Sequence, residues 1–74
     1  MQQDFAKENI LFISQNIKNI RIKNNLTRTE LAKNLSLSIS TITRWENQQA
    51  IPKAKNLIKF AKYFNVKLSN ILGL

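Results

Sequence analysis

The sequence predicts an all-α domain of five short helices. Apolar residues recur at intervals of three and four along most of the chain, which is the spacing of one helix face. No segment keeps the two-residue alternation of a half-buried strand. Polar residues that cap helices separate the apolar stretches. The core must therefore form where helices pack against helices.

The first predicted helix carries apolar residues at spacings of three, four and three. These are Ile10, Ile13, Ile17 and Ile20. We expect the helix to end near Asn24 and Asn25, since asparagine tolerates the left-handed conformation that stops a helix. Residues 1–9 have no clear period. We expect them to form a mobile arm or a short helical extension, and we assign the domain to residues 10–74.

Two short helices joined by a tight turn form the centre of the sequence. Thr27 and Glu30 have the spacing of a capping box, which predicts a helix starting at Arg28. Ser38 is a second N-cap candidate and predicts a helix over Ile39–Glu46. About three or four residues remain for the connection, as in a helix-turn-helix motif.

Both central helices are amphipathic. Leu31, Ala32 and Leu35 form one apolar stripe, while Ile42 and Trp45 form a second. The helices can therefore share a core and leave their outer faces to solvent or a ligand. A helix with an outward polar face fits the major groove of DNA, where base edges carry a distinct donor and acceptor pattern.

The C-terminal third predicts two more helices. Pro52 disfavours a helical Ile51 and suits a helix start, so residues 47–52 are expected to form a loop. The fourth helix ends at Asn65 and has an apolar face made of Leu57, Ile58, Phe60, Ala61 and Phe64. Four lysines lie at its start or on its outer side, namely Lys53, Lys55, Lys59 and Lys62. A short fifth helix within residues 66–72 covers the core with Leu68, Ile71 and Leu72.

Composition indicates one small basic domain. The 74 residues include 12 Lys and Arg against 4 Asp and Glu, which gives a net charge of +8 and a pI near 10.4. This balance favours a polyanion such as nucleic acid. An anionic membrane surface is the competing partner, but no apolar run approaches the length of a membrane span. The first residues lack the features of a signal peptide, so we expect a cytoplasmic protein.

Several classes of chemistry have no residues to carry them. The sequence has no cysteine and no histidine, which excludes disulfides, thiolate and imidazole catalysis and most zinc sites. Its single glycine, Gly73, cannot form a glycine-rich phosphate loop. Glu30 belongs to the capping box, and a catalytic carboxylate pair among the four acids would need remote partners, which no other signal supports. We therefore predict no enzyme, no metal and no cofactor.

A set of residues at family-specific spacings extends from about residue 13 to residue 72. They are Ile17, Ile20 and Arg21; Leu31-Ala32 with Leu35, Leu37 and Ile42; Trp45-Glu46-Asn47; Pro52; and residues 57–71. Together they resemble the Cro and phage-repressor family, also called XRE or lambda-repressor-like. The resemblance implies a helix-turn-helix domain that binds duplex DNA sequence-specifically, usually as a homodimer on a palindromic operator, and that represses or sometimes activates transcription. It also implies an ion pair between Arg21 and Glu46.

Three positions depart from the family pattern. Ser36 and Gln48 stand where the family usually has glycine, and a non-glycine residue forced to positive φ costs about 1–2 kcal/mol. We expect these two turns to be strained or slightly reshaped. Arg28 replaces the usual glutamine at the start of the first motif helix, which favours a phosphate contact over base reading.

Contact with DNA bases is predicted for four residues of the second motif helix: Ile39, Ser40, Thr43 and Arg44. Arg44 can bind guanine O6 and N7, with a phosphate clamp or a solvated charge as the alternative. Ile39 can meet thymine methyl groups, and Ser40 can bond a base or a phosphate. Contact with phosphates is predicted for Arg28, Thr29, Thr41, Asn47, Gln49, Lys53 and Lys55. For the lysines, a place on a solvated face without any DNA contact agrees with the sequence equally well.

Two partner classes stay open at this point. The first is a double-stranded DNA operator read by a homodimer, whose interface would use the fifth helix and residues 72–74, or else Phe5, Leu11 and Phe12. The second is a partner protein, held by an antitoxin or adaptor that uses the same three residues as its contact patch. A membrane-surface peptide is a third and more distant alternative.

Overall fold

Five helices and no strand are found in the computed structural model, which describes residues 5–73, with side chains from Ile10 onward. The helices are α1 (Phe5–Lys23), α2 (Arg28–Asn34), α3 (Ile39–Glu46), α4 (Ala54–Phe64) and α5 (Leu68–Leu72). The predicted fold class is therefore confirmed.

Helix α1 begins at Phe5, so residues 5–9 continue the first helix. The side chain of Phe5 lies outside the described residues. At the other end, Asn25 adopts a left-handed φ of 58°, and Leu26 N–H donates to the carbonyl of Arg21 over 3.2 Å. The chain thus leaves α1 at the two asparagines, as predicted.

Helix α2 begins at the predicted Arg28, and α3 has both of its predicted bounds, Ile39 and Glu46. Thr27 Oγ1 accepts from Glu30 N–H over 3.0 Å, and Thr27 N–H donates to Glu30 Oε1 over 2.9 Å, which completes the capping box. In the turn, Ser36 has a φ of 56°, and Leu37 N–H donates to the carbonyl of Ala32 over 2.8 Å. The turn keeps the left-handed geometry that usually takes glycine, so Ser36 is strained there.

A single core holds the helices together. Helix α1 packs against α3 and α5, α2 packs against α3, and α4 packs against α5. The buried apolar residues are Ile13, Ile17, Leu31, Ala32, Leu35, Ile42, Trp45, Leu57, Phe60, Ala61 and Ile71. Both predicted stripes of the central helices belong to this core. Because α3 packs against both α1 and α2, packing fixes its orientation.

Residues 47–52 form the predicted loop, and α4 follows it at Ala54 with Lys53 as its N-cap. Two predictions about the buried faces of α4 and α5 are wrong. Ile58 is 44% exposed, since it lies beside the buried row formed by positions 57, 60 and 61. Leu68 is 36% exposed at the first position of α5, where Ile71 supplies the buried side chain.

Helix α5 is tied to α1 by polar and apolar contacts. Asn16 Nδ2 donates to the carbonyls of Asn70 and Ile71, each over 3.0 Å. These carbonyls lie in the last turn of α5, which otherwise leaves them without helical partners. Gly73 closes the helix at a φ of 75°, and a Cβ at this position would lie 3.3 Å from Cβ of Phe12. The close approach of α1 therefore favours glycine here.

Candidate nucleic-acid interface

Hydroxyl groups organise the first turn of α3. Thr41 N–H donates to Ser38 Oγ over 3.2 Å, so Ser38 is the N-cap that the sequence predicts. Ser38 Oγ also lies 2.8 Å from Thr41 Oγ1 and 3.1 Å from Ser40 Oγ. These contacts restrict the side chains at the start of the helix.

Helix α3 has one buried face and one outward face. Ile42, Trp45 and Glu46 are buried. At about 100° per residue, positions 39, 40, 43 and 44 share the opposite side of the helix within about 140°. The structure therefore brings the four residues predicted for base contact onto one face, where Ile39, Ser40 and Arg44 are exposed and Thr43 is half-buried.

The residues predicted for phosphate contact lie at the start of α2, in the first turn of α3 and between α3 and α4. Those that are exposed are Thr29, Asn47, Gln49, Lys53 and Lys55. Thr41 is half-buried, and its hydroxyl contacts Ser38. No acidic residue occurs in the sequence after Glu46, so no carboxylate side chain in residues 47–74 offsets the positive charge of the lysines there.

A buried carboxylate joins α1, α2 and α3. The Glu46 side chain is fully buried, and its Oε2 accepts from Arg21 Nε over 2.7 Å. Its Oε1 accepts from Arg21 Nη2 over 2.9 Å and from Arg28 Nε over 3.0 Å. Arg21 Nη1 also donates to the carbonyl of Leu26 over 2.8 Å. The cluster therefore fixes the C-terminal end of α3 relative to the other two helices.

The environment of Glu46 favours its charged form. Burial raises the pKa of this carboxyl group, but the hydrogen bonds and charges of Arg21 and Arg28 outweigh burial, and the net pKa lies below its ordinary value. The pKa of Arg21 is raised by its hydrogen bond to the same carboxylate, which outweighs the effect of its own burial. Both members of the pair are therefore ionised at neutral pH.

Sequence reasoning missed the contact between Arg28 and Glu46. The two residues are 18 positions apart and lie at the N-terminus of one helix and the C-terminus of another. No spacing rule links such positions, because their distance depends on the angle between α2 and α3. The one sequence signal for this contact is Arg28 itself, a charged residue where the family usually has glutamine.

Strained turns flank α3 on both sides. Ser36 lies two residues before the N-cap, and Gln48, with a φ of 61°, directly follows the C-cap Asn47. Gln49 N–H donates to the carbonyl of Arg44 over 2.8 Å, which ties the second turn to the end of the helix. Both positions where the family usually has glycine thus keep the left-handed backbone and accept the strain.

Two adjacent apolar residues are exposed on α1. Leu11 and Phe12 are 41% and 54% exposed, respectively. Within residues 5–73, no helix is both long and apolar enough to cross a membrane.

Comparisons with known proteins agree with this geometry. Residues 17–71 match the family model of helix-turn-helix proteins, HTH_3. An uncharacterized helix-turn-helix transcriptional regulator of Methanocaldococcus jannaschii is 40% identical over 55 residues, which cover 74% of this chain and 83% of that protein. The transcriptional activator BcrR of Enterococcus faecalis is 29% identical over 60 residues, which cover 81% of this chain and 29% of BcrR. The chain thus spans less than a third of BcrR.

Two solved structures share the fold. The SOS-response transcriptional repressor LexA from Eubacterium rectale superposes with a TM-score of 0.83 at 28% identity, over 97% of this chain and 73% of that one. A regulator of the same family from Vibrio cholerae gives a TM-score of 0.82 at 19% identity, over 92% of this chain and 38% of that one, which supports the fold alone. The family match, the relatives and the helix-turn-helix geometry agree, so the chain belongs to the Cro/C1-type, or XRE, helix-turn-helix family and carries the DNA-binding domain of a transcriptional regulator.

Proposed function

We propose that this domain binds duplex DNA sequence-specifically by placing α3 in the major groove. The observation that carries the proposal is the outward face of α3, where Ile39, Ser40 and Arg44 are exposed while Ile42 and Trp45 anchor the same helix in the core. A helix of this kind can approach base edges without unfolding any of the domain.

Each outward residue has its own proposed contact. Arg44 donates two hydrogen bonds to guanine O6 and N7, and Ile39 packs against thymine methyl groups. Ile39 is 50% exposed, so covering its side chain with an apolar surface also removes it from water. Ser40 bonds a base or a phosphate, and Thr43 lies at the edge of the groove. Few side chains thus provide the discrimination between sequences.

Much of the affinity comes from the phosphate backbone. The net charge of +8 and the exposed lysines before and within α4 favour such contacts. Binding releases counterions, so affinity falls steeply as the salt concentration rises.

Selection of bound sequences from a random duplex library tests the proposal. We expect the wild-type protein to enrich a palindrome, and Arg44→Ala to change the preferred bases. Lys62→Ala is the matched control, because Lys62 is also an exposed cation in the last turn of its helix but lies on α4. No enriched sequence, or the same preference in wild type and Arg44→Ala, would contradict the assignment of α3.

A homodimer on a palindromic operator is part of the proposal. One domain of 74 residues covers few base pairs, and two copies reading half-sites one helical turn apart would supply the missing specificity. The dimer interface uses one of two surfaces: the exposed pair Leu11 and Phe12 on α1, or the end of α5. The regulator acts in the cytoplasm on this proposal.

Repression is the proposed outcome of binding, because a protein bound to an operator can block the promoter. LexA from Eubacterium rectale is named a repressor, whereas BcrR is named an activator. A reporter gene downstream of the selected operator decides the direction: lower expression in the presence of the protein supports repression.

A protein-interaction module is the second candidate function. The adjacent, exposed Leu11 and Phe12 favour it, because an apolar pair of this kind suits a protein contact. An antitoxin or adaptor of this type does not depend on binding DNA. Absence of salt-sensitive binding to random duplex DNA, measured at two salt concentrations, would favour this candidate.

A further inference from the structure

We propose that the buried Glu46 carboxylate holds the Arg28 guanidinium as an oriented clamp for a phosphate of the nucleic-acid backbone. Glu46 is thus a positioning residue for DNA binding as well as a member of the structural ion pair. The inference rests on the proposed DNA-binding function and adds a specific role for one carboxylate within it.

The two arginines of the cluster use their donors differently. Arg21 makes three hydrogen bonds, through Nε, Nη1 and Nη2, and its side chain is only 11% exposed. Arg28 makes one bond, from Nε to Glu46 Oε1, and its side chain is 36% exposed. Among the residues with described side chains, none accepts from the Nη groups of Arg28. All three nitrogens of Arg21 therefore donate within the fold, while both Nη groups of Arg28 stay available for a ligand.

The bond to Glu46 restricts the direction of those donors. A guanidinium group is planar, so a bond at Nε restricts the plane in which both Nη groups lie, and neither Nη group donates to a described acceptor. The carboxylate itself cannot move, because Arg21 holds both of its oxygens. Arg28 thus presents an oriented set of donors.

Charge favours an anion at this position. Two guanidinium groups share one carboxylate, so the cluster carries an excess positive charge. Planar donors of arginine match the oxygens of a phosphate group. In the sequence, Arg28 lies at the start of the first motif helix, the position for which a phosphate contact is predicted. The ligand that this chemistry recognises is a phosphodiester of the DNA backbone.

Holding the side chain in advance reduces the entropy lost on binding. Ordering one long side chain costs enough to weaken binding by about two- to tenfold. An exposed lysine such as Lys59 has no comparable hydrogen-bond partner among the residues described and would lose this freedom on binding. Glu46 therefore increases the affinity for DNA without touching it.

Three single variants separate positioning from a merely structural role. Arg28→Met removes the charge and the Nε donor, whereas Arg28→Lys keeps the charge but cannot donate from Nε. Lys59→Met is the matched control, since it removes one exposed cation from α4. Binding to the selected duplex is measured by fluorescence anisotropy across a salt series, after circular dichroism shows that each variant is folded.

We expect Arg28→Met to weaken binding about tenfold and to reduce the slope of log affinity against log salt by about one. Arg28→Lys should keep the slope but lose about two- to tenfold in affinity. Glu46→Gln should weaken binding in the wild-type background and have little further effect in the Arg28→Met background. Such non-additivity would show that Glu46 acts on DNA through Arg28.

Any of three results would overturn the inference alone. The first is wild-type binding to DNA in which Arg28→Met changes affinity and slope no more than Lys59→Met does. The second is additive loss of affinity in the Glu46 and Arg28 variants. The third is unchanged affinity in Arg28→Lys. If the wild-type protein shows no salt-dependent binding to any duplex, the proposed function fails and the inference fails with it. If Glu46→Gln does not fold, the comparison of Arg28→Met, Arg28→Lys and Lys59→Met decides the outcome.

Discussion

Removing the Arg21 guanidinium should destabilise the fold far more than removing any exposed cation. The variant Arg21→Met keeps most of the apolar stem but deletes two hydrogen bonds to Glu46 and one to the carbonyl of Leu26. The carboxylate of Glu46 then stays fully buried with Arg28 as its one remaining partner.

The magnitude follows from the geometry of the cluster. Breaking a buried ion pair by removing one partner costs about 3–5 kcal/mol. Arg28 still compensates part of the charge, so we expect about 3 kcal/mol. For a domain of this size, each kcal/mol lowers Tm by about 4–8 °C, which predicts a fall of about 12–24 °C.

Urea unfolding gives the direct assay. The single tryptophan, Trp45, is 3% exposed and provides a fluorescence signal beside the cluster. Circular dichroism provides a second signal that reports all helices. Lys59→Met is the control, and an exposed substitution of this kind should change the free energy of unfolding by no more than about 0.5 kcal/mol.

A double variant separates the stranded charge from lost packing. Replacing both partners, as in Arg21→Met with Glu46→Met, removes the buried charge and should recover most of the lost stability. The partly exposed Arg28 can then turn to water. A loss in Arg21→Met as small as that in Lys59→Met, or a double variant less stable than Arg21→Met, would refute the reasoning.

Two further predictions concern stability. Gln48→Gly should raise the free energy of unfolding by about 0.5–1 kcal/mol, as measured by urea unfolding. Glycine adopts the φ of 61° without strain, although the larger backbone entropy of glycine in the unfolded chain offsets part of this gain. Gln49→Gly is the matched control and should show no gain, since Gln49 is not among the residues at positive φ. Stability should fall as the pH drops below about 4.3, the ordinary pKa of glutamate. In this range Glu46 takes up a proton in the unfolded protein, while its lowered pKa keeps it charged in the folded protein, so protonation favours unfolding. Glu46→Gln should lose less stability between pH 5 and 2; equal loss would contradict this origin.

Much of the fold could be predicted because its signals are local. The capping box of Thr27 and Glu30 and the N-cap Ser38 join residues three positions apart, so the geometry of one helical turn decides them. The first residues of α2 and α3 follow from these signals. The placement of Ile39, Ser40, Thr43 and Arg44 on one face likewise follows from helical periodicity.

The wrong predictions concern apolar residues that lie beside the buried face of a helix. Ile58 is apolar and adjacent to Leu57, but burial depends on how α4 is rotated against its neighbours, and Ile58 lies beyond that contact. Leu68 is apolar, yet at the first position of α5 it is 36% exposed, and Ile71 supplies the buried side chain. Propensity gives a preference here, and packing decides the outcome.

The sequence by itself determined that this chain forms five helices and that one of them presents a polar face. Only the tertiary structure decided that Glu46 binds Arg28 as well as Arg21, and that Asn16 caps the carbonyls at the end of α5. The physical reason is distance along the chain: contacts within one turn depend on backbone geometry, which the local residues set. Contacts between residues 18 to 55 positions apart depend on the angles between helices, which the whole core sets.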